Sequence, residues 1–133
     1  MQSSDELRAI VLQIYEQLRS GGILDFARRL YSRQDGVLVI GSEPNDCYED
    51  YDSIVHFYET AGAANLEIKV DDLYAFCEGE FGWAADHVIA KLPNGTEIPV
   101  RHTYIFHKEN DQWKIVHAHI SVGIPDENLG VEG

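Results

Sequence analysis

Basic residues are scarce in this chain. Ten Lys and Arg stand against 23 Asp and Glu, a net charge of −13, and a surface of that sign repels phosphate backbones and anionic headgroups. No nucleic-acid and no membrane partner is expected. Long apolar runs are also missing, since no stretch approaches the ~18 residues of a membrane span. The opening MQSSDELRAI lacks the cationic-then-apolar order of a secretion signal, so a cytoplasmic location is the expectation. Only two cysteines occur, Cys47 and Cys77. Without CxxC spacing they suit a reducing compartment better than a disulfide framework.

What is present is enough for one packed domain. A chain of 133 residues, 44% of them hydrophobic, buries roughly two thirds of its unfolded surface and needs neither crosslink nor structural metal. Residues 1–124 are read as that domain and 125–133 as a polar tail. Leu7, Ile10, Val11, Ile14 and Leu18 fall at helical spacing behind Ser4, a side chain suited to an N-cap. Gly21 and Gly22 end that helix, because glycine reaches the left-handed conformation of many helix termini. Ile23, Phe26, Ala27, Leu30 and Tyr31 form the apolar side of a second helix, which stops before Asp35-Gly36. The run from 36 to 41, GVLVIG, then reads as a buried strand. The acidic segment SEPNDCYEDYD is a loop. It lacks the spacing of a Ca²⁺-binding loop, and Asp50 or Asp52 can cap a third helix presenting Ile54, Phe57 and Tyr58.

From Leu66 onward the pattern is strand after strand: LEIKV, LYAFC, FGWAADHVIAKL, IPVRHTYIFHK and QWKIVHAHISV. Asp71-Asp72 marks a bend, and Glu78-Gly79-Glu80, Pro93 to Thr96 and Glu109 to Asp111 mark hairpin turns. Helices followed by hairpins specify an α+β fold, a strongly bent antiparallel sheet wrapped around the N-terminal helices as a cone. The open end of such a cone is where a ligand belongs.

The spacing at Asn94-Gly95 suggests a two-residue type I′ turn. That register sets His87 opposite His102, Ala85 opposite Tyr104 and Trp83 opposite Phe106, gathering Trp83, His87, His102, Tyr104 and Phe106 on one face. Asp86 and Arg101 then share the other face and can pair diagonally. For the last hairpin a three-residue loop with a bulge is preferred to a two-residue loop. It groups Tyr104, Phe106, Val116, Ala118 and Ile120, leaving His117 and His119 opposite with Trp113.

Imidazoles beside a phenol can move protons near neutral pH, which makes His87, His102 and Tyr104 the candidate catalytic residues. Tyr15, Tyr58, Trp83 and Phe106 are the candidate ligand contacts. His117 and His119 share a strand face but lack an evident third ligand, so no metal site and no cofactor is expected.

Three stretches carry a resemblance: WKIVHAHIS, the preceding RHTYIFHKENDQW and the earlier IGSEPNDCYEDYDSI. Together they resemble the SnoaL-like branch of the nuclear transport factor 2-like superfamily, a cystatin-like fold, over most of the chain. The ending also resembles the association domain of calcium/calmodulin-dependent protein kinase II. The resemblance implies a cone of bent sheet around a pocket, a homodimer formed through the sheet, and roles ranging from isomerase or hydrolase to pure scaffold. A small-molecule-binding domain is the leading expectation. Acid/base enzyme and oligomerisation scaffold are the alternatives. Ketosteroid isomerases share this fold, and IGSEP resembles their segment just after the catalytic Asp. Here Val37, Leu38 and Val39 precede it, so that base is missing, while Tyr15 falls near the isomerase oxyanion tyrosine and His102 or Thr103 near its acidic donor.

Overall fold

A computed structural model of the chain describes residues 1–61 and 66–130. Helix α1 runs over Asp5–Ser20, begun by the Ser4 hydroxyl, which accepts from Leu7 N at 3.1 Å. It ends at Gly21, whose φ of +89° lets its N–H return to the Gln17 carbonyl. Helix α2 follows over Ile23–Leu30 and α3 over Tyr51–Ala61. The Asp50 carboxylate starts α3 by accepting from Ser53 N at 2.8 Å.

The seven strands form one sheet. In chain order they are β1 (Gln2–Ser3), β2 (Leu38–Ile40), β3 (Cys47–Tyr48), β4 (Glu67–Glu78), β5 (Phe81–Lys91), β6 (Glu97–Glu109) and β7 (Gln112–Val122). Their spatial order is β1-β4-β5-β6-β7-β2-β3. All neighbours are antiparallel except β2 and β7, which run parallel and place Leu38 beside His117 and Ile40 beside His119. The sheet is therefore mixed, because β2 returns from the helical segment instead of from a hairpin. After β7 the chain makes a single 3₁₀ turn at Asp126–Leu129, and 131–133, the end of the expected tail, lie outside the described residues.

Two bulges bend the sheet. Asp71 is the extra residue in β4, between the pairs Val70–Val88 and Asp72–His87, where a bend was expected. Val116 is the extra residue in β7, between the pairs Phe106–Ile115 and Ile105–His117.

The β5–β6 register differs by one residue from the expectation. Leu92 N donates to Thr96 O at 2.8 Å, Gly95 N donates to Leu92 O at 2.9 Å, and only Gly95, at φ +88°, is left-handed. Three residues thus form the loop. Pro93 cannot be a ladder partner, since its fixed φ suits the second position of a type I turn and its nitrogen carries no hydrogen. His102 therefore pairs with Asp86, Tyr104 with Ala84, Phe106 with Gly82, and His87 with Arg101. The β6–β7 loop differs in the opposite sense. Asn110 and Asp111, at φ +51° and +62°, make a two-residue turn between Glu109 and Gln112. The bulge at Val116 then restores the expected facing of Tyr104, Phe106, Ala118 and Ile120, but Trp113, ahead of it, is buried with the core.

The helices cover one face of the sheet. Phe106, Leu7, Ile23, Ile54 and Ile115 are its largest fully buried side chains, and each contributes on the order of 1.5–3 kcal/mol by leaving water. Gly82 lets α1 approach closely, because a Cβ there would collide with the Leu7 side chain and lie 3.0 Å from the Phe76 carbonyl.

Candidate functional site

Alternation along β5 and β6 carries Asp86, His102 and Tyr104 to the helix-covered face, where Tyr15 of α1 reaches them. Asp86 is 4% exposed, and a buried carboxylate persists only with partners. It has three. Oδ1 accepts from His102 N at 3.1 Å and from His102 Nδ1 at 2.9 Å, while Oδ2 accepts from the Tyr15 hydroxyl. The Tyr15 oxygen lies 3.2 Å from the Tyr104 hydroxyl and 3.1 Å from His102 Nδ1. Tyr104 stacks on the His102 ring, 5.7 Å between centroids and 11° between planes.

Because an ionised carboxylate only accepts, the His102 hydrogen facing Asp86 is held on Nδ1. Nε2 has no protein hydrogen-bond partner among the described residues. No buried side-chain nitrogen or oxygen there is both sealed and unpartnered, so Nε2 is left accessible. His102 lines a pocket of about 250 Å³ together with Tyr104 and Tyr58. Apart from Ser42, the remaining walls are apolar, among them Ile14 and Leu18 of α1, Phe57 of α3, and Ile68, Ala90, Ile98, Val100 and Ile120 on the strand ends.

A second pair of phenols adjoins the first, with Tyr31 and Tyr58 hydroxyls 2.7 Å apart. All four phenols resist ionisation. Burial, then the Asp86 charge, holds Tyr15 far above the ordinary range, and burial followed by Tyr15 and Tyr58 does the same for Tyr104. Burial also raises Tyr31, and it pushes Tyr58 up to about 12 against a hydrogen bond from Tyr31 that lowers it. At neutral pH they are donors and not bases.

Of the expected residues, the structure brings together His102, Tyr104, Tyr15 and Tyr58, but Tyr15, expected as a ligand contact, is off the pocket wall, its hydroxyl taken up by Asp86 and Tyr104. Phe106 packs behind Tyr104 at 6.2 Å between ring centroids, fully buried in the core and not on the pocket wall. His87 and Trp83 are corrections, because the register shift turns both to the open face of the sheet. There His87 Nδ1 lies 3.4 Å from Asp72 Oδ2 with its side chain 59% exposed, and Trp83 stacks on its cross-strand partner Phe76. Arg101 faces outward too, so the expected Asp86–Arg101 pair does not form. His117 Nδ1 donates to the Leu38 carbonyl of β2 at 3.0 Å. The residue missed is Asp86. Its signal was a lone carboxylate within Ala84, Val88 and Ala90 at period two, a set too small-chained to outweigh Trp83 and His87. Among the described residues no cluster of His, Cys, Asp or Glu is arranged to hold a metal, and no helix is long and apolar enough to cross a membrane.

The model of the SnoaL-like domain matches residues 7–125. The chain belongs to the SnoaL-like domain family. Solved structures agree with this SnoaL-like domain in fold. A candidate dehydratase of the NTF2-like family from Streptomyces avermitilis has a TM-score of 0.77 at 15% identity, with 91% of this chain and 96% of that one covered. A candidate calcium/calmodulin-dependent protein kinase II association domain from Xanthomonas campestris has a TM-score of 0.75 at 15% identity, covering 92% and 95%. A candidate ketosteroid isomerase from Shewanella frigidimarina has a TM-score of 0.72 at 19% identity, covering 85% and 92%. No curated protein matches by sequence. At such identities the similarity establishes the architecture of the SnoaL-like domain and not its chemistry.

Proposed function

We propose that this domain binds a small, largely apolar molecule in the pocket and that His102 transfers a proton to or from it. One observation carries the reading: an imidazole whose Nδ1 is held by a fully buried carboxylate sits at a largely apolar pocket. That geometry orients Nε2 toward the pocket contents and stabilises the imidazolium formed when it takes a proton. Tyr15 completes the carboxylate's hydrogen bonds, and Tyr104 fixes Tyr15. The pocket volume lies below the ~300–1,000 Å³ of drug-sized sites, which suits a ligand of on the order of ten non-hydrogen atoms. Isomerase and dehydratase chemistry, suggested for two of the structural neighbours, both move a proton between carbon or oxygen and a base. The carboxylate available here is Asp86 on β5, behind the histidine, so His102 is the group that meets the substrate.

The experiment is a thermal-shift screen of uncharged cyclic molecules, because a ligand that prefers the folded state raises the melting temperature. Stabilising compounds are then followed by NMR in D₂O for deuterium uptake, dehydration or isomer formation. His102→Gln is expected to keep binding and lose turnover. Unchanged turnover removes His102 from the mechanism, and a screen without a stabilising compound overturns the pocket reading.

The open face favours a second reading, a homodimer through the sheet. Tyr74, Phe81 and Ile105 are 49%, 56% and 37% exposed on it, large apolar groups of the kind that a two-fold contact covers. If assembly alone is the role, the domain is a scaffold. Sedimentation as a monomer at micromolar concentration would contradict both.

A further inference from the structure

Four phenols meet at this site, and accounting for their hydrogens distinguishes them. Asp86 can only accept, so the Tyr15 hydrogen goes to Oδ2. Tyr104 has one hydroxyl partner among the described residues, the Tyr15 oxygen, and its hydrogen goes there. Tyr31, 3% exposed, likewise has one partner, the Tyr58 oxygen. If Tyr58 donated to Tyr31, the Tyr31 hydrogen would be buried without an acceptor, and a buried unsatisfied donor is costly. Tyr31 therefore donates to Tyr58. Tyr58 is left with a hydrogen and no acceptor among the described residues, and Tyr58 is on the pocket wall.

We propose that Tyr58 is a free, buried hydrogen-bond donor of the pocket and that it selects uncharged ligands presenting an acceptor oxygen, as a carbonyl does. The proposal deepens the ligand-binding reading above and rests on it. A hydrogen bond from Tyr31 makes the Tyr58 hydroxyl a better donor, since a phenol that accepts is polarised toward giving its own hydrogen. Anionic ligands are disfavoured, because among the described residues no Lys or Arg lines the pocket and the Asp86 carboxylate lies behind it. The wall thus offers a donor from α3 and, across from the helices, a proton acceptor at His102 Nε2 from β6. A ligand must satisfy the first with oxygen.

The test compares isosteres. Cyclohexanone and α-tetralone are each matched with the hydrocarbon in which an exocyclic methylene replaces the carbonyl oxygen, and binding is measured by ligand-observed NMR on wild type and Tyr58→Phe. Wild type is expected to prefer each ketone by roughly ten- to a hundredfold, the effect of leaving one buried donor unpaired. Tyr58→Phe brings the ratio close to one while hydrocarbon binding is kept. A variant that binds both members more weakly but at the wild-type ratio overturns the donor assignment and leaves the pocket reading standing. Failure of wild type to bind any of the four compounds overturns both. Infrared spectra provide a readout that survives if the variant does not fold: the carbonyl stretch of ketone bound to wild type should lie below that of the ketone in an alkane solvent, and an alkane-like frequency refutes the hydrogen bond.

Discussion

Replacing Asp86 tests whether the buried network is built as described. The carboxylate is the acceptor for three donors, the Tyr15 hydroxyl, His102 N and His102 Nδ1. Asp86→Ala leaves all three buried and unpaired. Leaving a buried donor without its acceptor costs about 1–3 kcal/mol, so the three together should cost at least about 3 kcal/mol against a total stability on the order of 5–15 kcal/mol for a domain, and the melting temperature should fall by about 10 °C or more. Tyr15→Phe alone leaves Oδ2 short of one donor, about 1–3 kcal/mol. The double variant removes donor and acceptor together, so its loss should be smaller than the sum of the single losses by about 1–3 kcal/mol. Urea unfolding at constant m measures all four proteins. Additivity within about 0.5 kcal/mol would show that Tyr15 and Asp86 do not interact, and the reasoning about the site would fail with it.

Alkaline pH should unfold the domain steeply. The folded-state pKa of Tyr15, Tyr31, Tyr58 and Tyr104 is raised, so their contribution is present below the unfolded value near 10 and is lost as pH rises from there towards the folded values. Each such phenol removes about 1.4 kcal/mol per pH unit over that window. Absorbance at 295 nm should show these phenols ionising only together with loss of circular dichroism, and their ionisation in the folded chain near pH 10 would refute it. Gly82→Ala should cost about 1–3 kcal/mol by forcing α1 off the sheet, measured by urea unfolding, and a neutral result would contradict the close contact with Leu7. Asp111→Gly should stabilise by about 0.4–1 kcal/mol, since φ is +62° there and glycine adopts it without strain, and a lower melting temperature would refute this.

Features determined by one or two residues were legible in the sequence. The Ser4 cap, the Gly21 stop, the Asp50 cap and the bend at Asp71 each follow from local chemistry, and the structure shows each of them. The bent α+β fold was legible for the same reason, as helices and hairpins occupy separate parts of the chain. Register was not. A proline before Asn94-Gly95 turns a two-residue loop into a three-residue one, and a single residue of slip exchanges the faces of every β5 side chain relative to β6. His102 and Tyr104 stayed on the helix side because their own strand's alternation is strongly apolar, whereas β5 has small residues on one side and large ones on the other. Size suggested that Trp83 and His87 were interior. The interior side is instead Ala84, Asp86, Val88 and Ala90, since Tyr15, Tyr104 and the helices fill the space above them. Asp86 was hidden by the same exchange.

The apolar walls stand on strand ends and helix flanks away from the hydrogen-bonded group at Asp86. Substitution at Ile68, Ile98 or Ile120 can therefore reshape the cup without disturbing the Asp86, His102 and Tyr15 hydrogen bonds beneath it. Such a division of labour lets the outline of the cup drift while the polar network under it stays intact.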